Sequence, residues 1–265
     1  MSVVFTSRGA FILVTLSLLF SGLLTSALIL LINPTDQTVL LPATLILGEL
    51  LLIVPLVWIL MKSSENLRQT VRLNRISRRT VLFSVVISIG VVILADELER
   101  LIALIIPPPQ WIEQLGQFLS VDNPLALTLV FIGAVPMAAF SEEILFRGFL
   151  QQVLEKQWQD VTRAVLVGSL FFAVVHLIPY WAIQIYLLGL VMGYMAWASN
   201  SIFPSVILHG INNSVAFSFA NWGEAFEGWY TWNGHVSPVV LMIGTTMVVL
   251  GFRQFNSTAT SEASS

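Results

Sequence analysis

Long apolar runs recur along the whole chain, and they restrict its possible folds more than any other feature. The hydrocarbon core of a bilayer is about 30 Å thick, and a helix needs roughly 20 apolar residues to cross it. The first run, residues 10–32, contains no charged residue, and the second, residues 39–61, contains only Glu49. Because a helix satisfies its backbone polar groups internally, runs of this length predict membrane-spanning helices.

The same criterion predicts about eight spans, and therefore an all-α, polytopic membrane helix bundle. The third span begins at Thr80 and stays apolar to Ala95, after which the charged stretch 96–100 marks the outer interface. The remaining predicted spans are residues 125–152, 163–178, 181–198, 202–220 and 236–252. We divide the chain into residues 1–124 with the first three spans, a core at 125–220, and residues 221–265 with an outer loop, the last span and a disordered tail.

Composition supports a membrane protein and excludes several other classes. Of the 265 residues, 56% are hydrophobic and only 10% are charged, whereas soluble domains carry roughly 25% charged residues. The formal net charge of −3 and the lack of a basic face argue against a nucleic-acid partner. The chain has no cysteine, which excludes disulfides and thiolate metal sites.

Basic residues gather in the loop between the second and third predicted spans. This loop holds half of the 12 Lys and Arg residues of the chain: Lys62, Arg68, Arg72, Arg75, Arg78 and Arg79. Because short cytoplasmic loops are enriched in Lys and Arg, we predict that this loop and both termini are cytoplasmic, and that Asp36 and Glu113 lie outside. With no transit peptide, we expect the inner membrane of a bacterium or cyanobacterium. The first apolar run is longer than the usual 7–15-residue core of a signal peptide, so we expect a membrane-spanning helix there instead.

Ionisable side chains inside the predicted spans are few, and they cluster in three helices. Span four contains Glu142, Glu143 and Arg147, span five contains His176, and span seven contains His209. At about 1.5 Å per residue, Glu142, His176 and His209 lie roughly 10–20 Å from the cytoplasmic side and can meet in one layer. Because ionisable groups at this depth are costly, the cluster indicates a functional site.

Helical spacing predicts which of these side chains face one another. Glu143 and Arg147 are four residues apart and can form an intrahelical ion pair. Glu142 is rotated about 100° away from Glu143 and is left to face another helix. The same spacing places two further pairs on shared faces: His209 with Asn213, and Phe172 with His176.

These groups supply what hydrolysis of a peptide bond by water requires. A buried carboxylate takes a proton from water and passes it to the leaving amine, while a histidine holds that water. A second histidine and an asparagine amide donate to the developing oxyanion. Glutamate and histidine are also ligands of divalent metals such as zinc, so Glu142, His176 and His209 are candidate metal ligands and the cofactor stays open.

Three motifs in this order resemble those of the CPBP family, the CAAX-protease and bacteriocin-processing intramembrane proteases, also called the ABI family. The motifs are Glu-Glu-x-x-x-Arg at 142–147, followed by Gly148 and Leu150, then Phe-x-x-x-His at 172–176 and His-x-x-x-Asn at 209–213. The resemblance covers spans four to seven, about residues 125–220. Some members carry a third glutamate in the first motif, and here that position is Ser141.

The resemblance implies an eight-helix bundle with an active site open to the membrane and the cytosol. It implies catalytic roles for Glu142, Glu143, His176, His209 and Asn213, and supporting roles for Arg147 and Phe172. Glu142 would be the base and His176 its partner on the water, with His209 and Asn213 at the oxyanion or at a metal. Members are often labelled metalloproteases, although this sequence lacks His-Glu-x-x-His. The expected partners are membrane lipid and a peptide or membrane-associated protein substrate, which in eukaryotic relatives is a prenylated CAAX protein.

A non-catalytic membrane protein is the alternative hypothesis. Both glutamates can be structural partners of Arg147, and His209 and Asn213 can bridge helices by hydrogen bonds. Such residues would suit a scaffold, a bacteriocin-immunity protein or a proton-coupled transporter, although the chain has no pair of broken helices typical of transporters. Outside the cluster, we expect Glu49 to pair with another polar side chain and His235 to be solvated.

Overall fold

A computed structural model gives the fold of the chain over residues 5–32, 37–63, 66–112 and 120–263. Its helices are α1 (Ser7–Ile32), α2 (Gln37–Lys62), α3 (Leu67–Thr70), α4 (Arg78–Ile105), α5 (Pro124–Trp158), α6 (Val161–Val175), α7 (Ala182–Ala198), α8 (Phe203–Trp222), α9 (Glu224–Tyr230) and α10 (Pro238–Ala263). A 3₁₀ turn, Pro179–Trp181, precedes α7. Asp36 and Glu113, which were expected on outer loops, lie outside the described residues.

The all-α membrane bundle is confirmed. Among the described residues, six helical segments are long and apolar enough to cross a bilayer: Ser7–Leu31, Pro42–Lys62, Arg78–Ile105, Pro124–Trp158, Pro179–Ala198 and Pro238–Thr258. The apolar helix α6 is shorter than these. Polar residues such as His209 and Asn213 lower the hydropathy of α8, which has 20 residues. The predicted number of eight spans is therefore not confirmed.

Helix α5 is 35 residues long and carries the first motif. The Asn123 side chain caps its start by accepting two backbone N–H groups, as expected for an asparagine N-cap. Two π-helical turns interrupt the helix, at Gly133–Met137 and Ile144–Leu150. Pro136 in the first of these turns has no N–H, so it cannot close an α-helical hydrogen bond and the turn widens. The helix ends at Trp158, six residues beyond the predicted end at 152.

Glycines allow α4 and α10 to approach closely. A Cβ added to Gly90 would lie 2.5 Å from the carbonyl oxygen of Gly244, and one added to Gly251 would lie 2.7 Å from the Ile87 side chain. Small residues at crossings let membrane helices gain van der Waals contact in lipid, where apolar burial gives no driving force. Because α4 also contacts α8, this pair supports the helix that carries His209.

Helix α10 continues to Ala263, through most of the segment that was expected to be a disordered tail. The disordered tail stays a prediction. Elongating an existing helix adds one hydrogen bond per residue, whereas only nucleation is costly, so a short polar extension can remain helical. The Ser257 and Thr258 hydroxyls donate to the Gln254 carbonyl within this extension.

A short antiparallel hairpin, β1 (Thr231–Trp232) and β2 (His235–Val236), contacts α4. Glu97 of α4 accepts two hydrogen bonds from it, one from His235 Nδ1 at 2.8 Å and one from the Val236 backbone N–H at 2.8 Å. The expectation that His235 is merely solvated was therefore wrong. Glu97 and His235 lie 138 residues apart, so no local spacing could have predicted the contact.

The basic loop between α2 and α4 packs onto α5. Its residue Arg72 forms an ion pair with Glu155, and both side chains are nearly buried. A Cβ added to Gly148 would lie 2.6 Å from the Val71 carbonyl oxygen, so glycine is required at this contact. Arg72 thus stabilises the fold, and the cytoplasmic location of the loop stays a prediction.

Candidate active site

The predicted ion pair between Glu143 and Arg147 is confirmed. Arg147 Nη1 donates to Glu143 Oε1 at 2.7 Å, and the two side chains are 2% and 0% exposed. Removing one partner of such a buried pair leaves an uncompensated charge, which is strongly destabilising. The pair therefore fixes the turn of α5 that also carries Glu142.

The Arg147 guanidinium also joins α5 to α6 and α7. Its central carbon lies 4.1 Å from the centre of the Phe172 ring on α6, which is a cation–π geometry. Its Nη2 donates to the Gly189 carbonyl of α7 at 3.3 Å. A Cβ on Gly189 would lie 3.0 Å from Ser169 Cβ and 3.4 Å from Arg147 Nη2, so glycine allows this close approach.

Each of the two histidines has its Nδ1 atom occupied by a neighbour. His209 Nδ1 lies 3.0 Å from Glu143 Oε1, and His176 Nδ1 lies 2.6 Å from the Phe172 carbonyl oxygen. A carbonyl and a carboxylate can only accept hydrogen bonds, so both Nδ1 atoms carry the proton. In the neutral tautomer that follows, Nε2 of each ring is left with a free lone pair.

The Nε2 atoms of both histidines point at Glu142. Glu142 Oε2 lies 3.8 Å from His176 Nε2 and 4.0 Å from His209 Nε2. This oxygen is buried and has no hydrogen-bond partner among the described residues. The predicted meeting of the three side chains in one layer is therefore confirmed, although none of them bonds directly to another.

The gap between Glu142 Oε2 and each of the two Nε2 atoms is longer than a direct hydrogen bond. Direct hydrogen bonds span about 2.7–3.2 Å, and both separations from Glu142 Oε2 are longer. A polar contact of this length is commonly bridged by water. All three facing atoms can accept a proton, so a water, which donates two, suits the gap. The Glu142 and His176 side chains keep 19% and 27% exposure, although Glu142 Oε2 itself is buried.

A cavity of about 230 Å³ opens beside this gap. Helices α1, α2, α5 and α6 form its wall, and the lining residues are Leu18, Ser21, Gly22, Gly48, Glu49, Leu52, Glu142, Phe146, Val175 and His176. Apolar walls around a few convergent polar groups are typical of ligand sites. The cavity is therefore a candidate ligand site beside Glu142.

Glu49 is the site residue whose position the sequence did not predict. Its expected polar partner is confirmed, because the Ser141 hydroxyl donates to Glu49 Oε2. Ser141 directly precedes Glu142, so this bond brings the α2 carboxylate to the first motif. The sequence shows Glu49 as a single acidic residue within an apolar span, but it does not predict which neighbouring helix Glu49 faces.

Asn213 and Phe172 both lie at the site, in different roles. Asn213 Nδ2 donates to the Ala134 carbonyl at 2.9 Å, within the first π turn, so the amide bridges α8 and α5. Phe172 packs edge-on against His176, with ring centres 4.6 Å apart, and lies 5.9 Å from the ring centre of His209. The predicted packing role of Phe172 is confirmed, and the oxyanion role of Asn213 stays a prediction.

The residues as placed do not fit a zinc site. Ligands about 2.1 Å from a tetrahedral zinc lie roughly 3.4 Å from one another, and the two measured separations from Glu142 Oε2, 3.8 and 4.0 Å, are wider. The described residues contain no group of three or more His, Asp or Glu side chains positioned to hold a metal. No step proposed below uses a metal.

The fold and this cluster define a class, a multi-pass helical membrane protein in which two histidines face one buried glutamate oxygen. Comparison adds a resemblance over part of the chain: residues 124–215 match the family model described as type II CAAX prenyl endopeptidase Rce1-like. The matched segment runs from α5 into α8 and contains all three motifs, so the resemblance to the CAAX-protease family is confirmed there. No curated protein sequence and no solved structure matches the chain.

Proposed function

We propose that this protein is an intramembrane endopeptidase in which Glu142 activates a water molecule to hydrolyse a peptide bond. One observation carries the proposal: the buried, unpartnered Oε2 of Glu142 faces Nε2 of both His176 and His209 across 3.8 and 4.0 Å. The match of residues 124–215 to a CAAX prenyl endopeptidase model supports the same reaction class.

In the proposed reaction, the water lies between Glu142 Oε2 and His176 Nε2 and donates a hydrogen bond to each. Glu142 takes one proton as the water oxygen attacks the carbonyl carbon of the substrate. The proton then passes from Glu142 to the nitrogen of the leaving amine as the C–N bond breaks. The products are a carboxylic acid and an amine, and Glu142 returns to its starting form.

The oxyanion formed in this attack needs hydrogen-bond donors. Asn213 uses one amide hydrogen on Ala134 and retains a second, which we assign to the oxyanion. His209 supplies a further donor from Nε2 when its ring carries a second proton, with Glu143 3.0 Å from its Nδ1 atom. Glu143 and Arg147 act in this scheme by orienting His209 rather than by touching the substrate.

The proposed substrate is a peptide segment, either free or part of a membrane-associated protein, that reaches Glu142 from the membrane. The cavity at α1, α2, α5 and α6 opens among helices whose outward faces are apolar, such as Leu23 on α1 and Trp58 on α2. We place the protein in a bacterial or cyanobacterial inner membrane with both termini in the cytoplasm. The excess of basic residues in the loop before α4 supports this orientation.

Cleavage by the purified protein in lipid tests the proposal. A peptide library would be digested by wild type, by Glu142→Gln and by Glu224→Gln, which changes an exposed glutamate far from the site in sequence. A general base contributes about 10²- to 10⁴-fold, so Glu142→Gln should lose cleavage to that extent and Glu224→Gln should lose none. Equal cleavage by all three proteins would refute the role of Glu142, and absence of cleavage by all three would favour a non-catalytic membrane protein.

A further inference from the structure

We propose that Glu49 determines substrate specificity by binding a basic side chain, lysine or arginine, of the peptide to be cleaved. This inference rests on the proposed peptidase function and names its substrate class. It concerns a carboxylate that the hydrolytic scheme does not use, and that lines the same cavity as the proposed base.

The position of Glu49 places it beside the reaction centre. Glu49, Glu142 and His176 line one cavity of about 230 Å³. The Ser141 hydroxyl holds Glu49 Oε2, one residue before Glu142 on α5, and so fixes the carboxylate of α2 against the catalytic motif. A group bound by Glu49 would therefore belong to a residue close to the scissile bond.

Glu49 forms no ion pair with Lys or Arg among the described residues, and the basic residue that lines its cavity, His176, faces Glu142 instead. Among the described residues that line this cavity, there is no Lys or Arg, and Arg147 is bound to Glu143 at 2.7 Å. The partner that the described residues give Glu49 is the neutral hydroxyl of Ser141. Ionisable groups within a membrane are costly and pair with one another. A cation of the substrate would supply the missing charge and form a charge-assisted hydrogen bond.

The size and the walls of the cavity suit the side chain of a basic residue. Its volume exceeds the roughly 150 Å³ of an apolar protein cavity that takes up benzene. Gly22 and Gly48 keep space open on the α1 and α2 walls, and apolar residues complete the lining: Leu18, Leu52, Phe146 and Val175. Lys and Arg bury their methylene stems against apolar surface while the charged end finds a polar partner.

The same arrangement disfavours negatively charged substrates. Glu49 and Glu142 both border the cavity, so an acidic side chain or a free carboxylate would meet like charges in a low-dielectric site. Specificity would therefore come from repulsion as well as from attraction. Peptides that differ only in the charge of one side chain should be cleaved at different rates.

Kinetics with matched peptides test the inference. Lysine is moved one position at a time along an apolar host peptide, with norleucine and glutamate peptides as counterparts, in nanodiscs of zwitterionic lipid that do not attract cations. At one position, wild type should cleave the lysine peptide on the order of tenfold better than the norleucine peptide, mainly through KM. In Glu49→Gln that ratio, measured between the two peptides on the same variant, should fall to about one whatever the absolute rate of the variant. The absence of a lysine preference in wild type, or its persistence in Glu49→Gln, would overturn the proposal.

A binding measurement separates this inference from the proposed function. Fluorescent lysine and norleucine peptides are titrated onto Glu142→Gln and onto the double variant with Glu49→Gln, neither of which needs to hydrolyse them. The second substitution should weaken binding of the lysine peptide alone, on the order of tenfold. If binding of the lysine peptide weakens in this way but wild type cleaves no peptide, the cation site would be upheld and the peptidase function refuted. Equal binding of the lysine peptide to the single and the double variant would overturn the role of Glu49, whatever the cleavage result. If the Glu49→Gln variant does not fold, Glu49→Leu replaces it.

Discussion

Glu143 Oε1 lies 3.0 Å from Nδ1 of His209, although the two residues come from different helices. The preceding residue, Glu142, faces the other ring nitrogen of His209, Nε2. The two adjacent glutamates of the motif therefore have different surroundings. Glu143 is fully buried and holds His209 and Arg147, while the Glu142 side chain keeps 19% exposure and lines the cavity.

Replacing Glu143 with Gln should destabilise the protein strongly. The substitution keeps the shape of the side chain but leaves the buried Arg147 without a counter-charge, which costs about 3–5 kcal/mol in comparable pairs. Unfolding followed by thermal scanning in one detergent would measure the change against wild type.

The double variant Glu143→Gln/Arg147→Met is the control for that experiment. It removes both charges, so it should be more stable than Glu143→Gln alone, because a buried pair can often be replaced by apolar groups at little cost. If the single variant were as stable as wild type, the ion pair would not stabilise this part of α5.

Gly189→Ala should disturb the contact between α6 and α7. The added Cβ would lie 3.0 Å from Ser169 Cβ and 3.4 Å from Arg147 Nη2, and overpacking of this kind costs about 1–3 kcal/mol. Gly168→Ala on α6 is the matched control, because its Cβ would meet nothing within 4 Å. Alanine is favoured over glycine in a helix by about 0.5–1 kcal/mol. Equal unfolding temperatures for the two variants would show that α7 can move away without cost.

Asn213→Ala distinguishes an oxyanion donor from a helix bridge. Loss of an oxyanion donor lowers kcat by about 10²- to 10³-fold, whereas hydrogen bonds between membrane helices contribute about 0.6 kcal/mol on average. We expect the large loss in kcat with KM little changed. Ser214→Ala serves as the control, because the Ser214 hydroxyl donates to Gly210 of its own helix. A variant with normal kcat and lower stability would assign Asn213 to bridging Ala134 alone.

Removal of metal should leave peptide cleavage intact. Among the described residues no group of three or more His, Asp or Glu side chains is positioned to hold a metal, so the proposed water activation depends on the protein side chains. Cleavage rates before and after dialysis against a chelator would measure this. Activity that is lost on chelation and restored by zinc would contradict the prediction and require the three side chains to move closer together.

Local spacing was sufficient to predict part of the site. The four-residue interval between Glu143 and Arg147 fixes their contact, because residues at that spacing are neighbours on any helix. The interval between Phe172 and His176 places both rings on one face, where they pack edge-on. The bundle itself follows from apolar runs that can satisfy their backbone only as helices in lipid.

Contacts between distant helices could not be predicted in the same way. Helix α2 is apolar on all sides, so its sequence does not reveal that Glu49 faces Ser141 on α5. The bond from Asn213 to Ala134 depends on the π turn around Pro136, whose widening no helical periodicity indicates. His235 reaches Glu97 only because the hairpin turns back onto α4.

The most direct test of the account asks whether Glu142 and His176 act on one water. Single-turnover cleavage would be measured for Glu142→Gln, for His176→Ala and for the double variant. Residues that act as a unit are strongly non-additive in their effects on kcat, so the double variant should be no slower than the worse of the two single variants. Losses that multiply in the double variant would mean that the two residues act independently, and would contradict a shared water between Glu142 Oε2 and His176 Nε2.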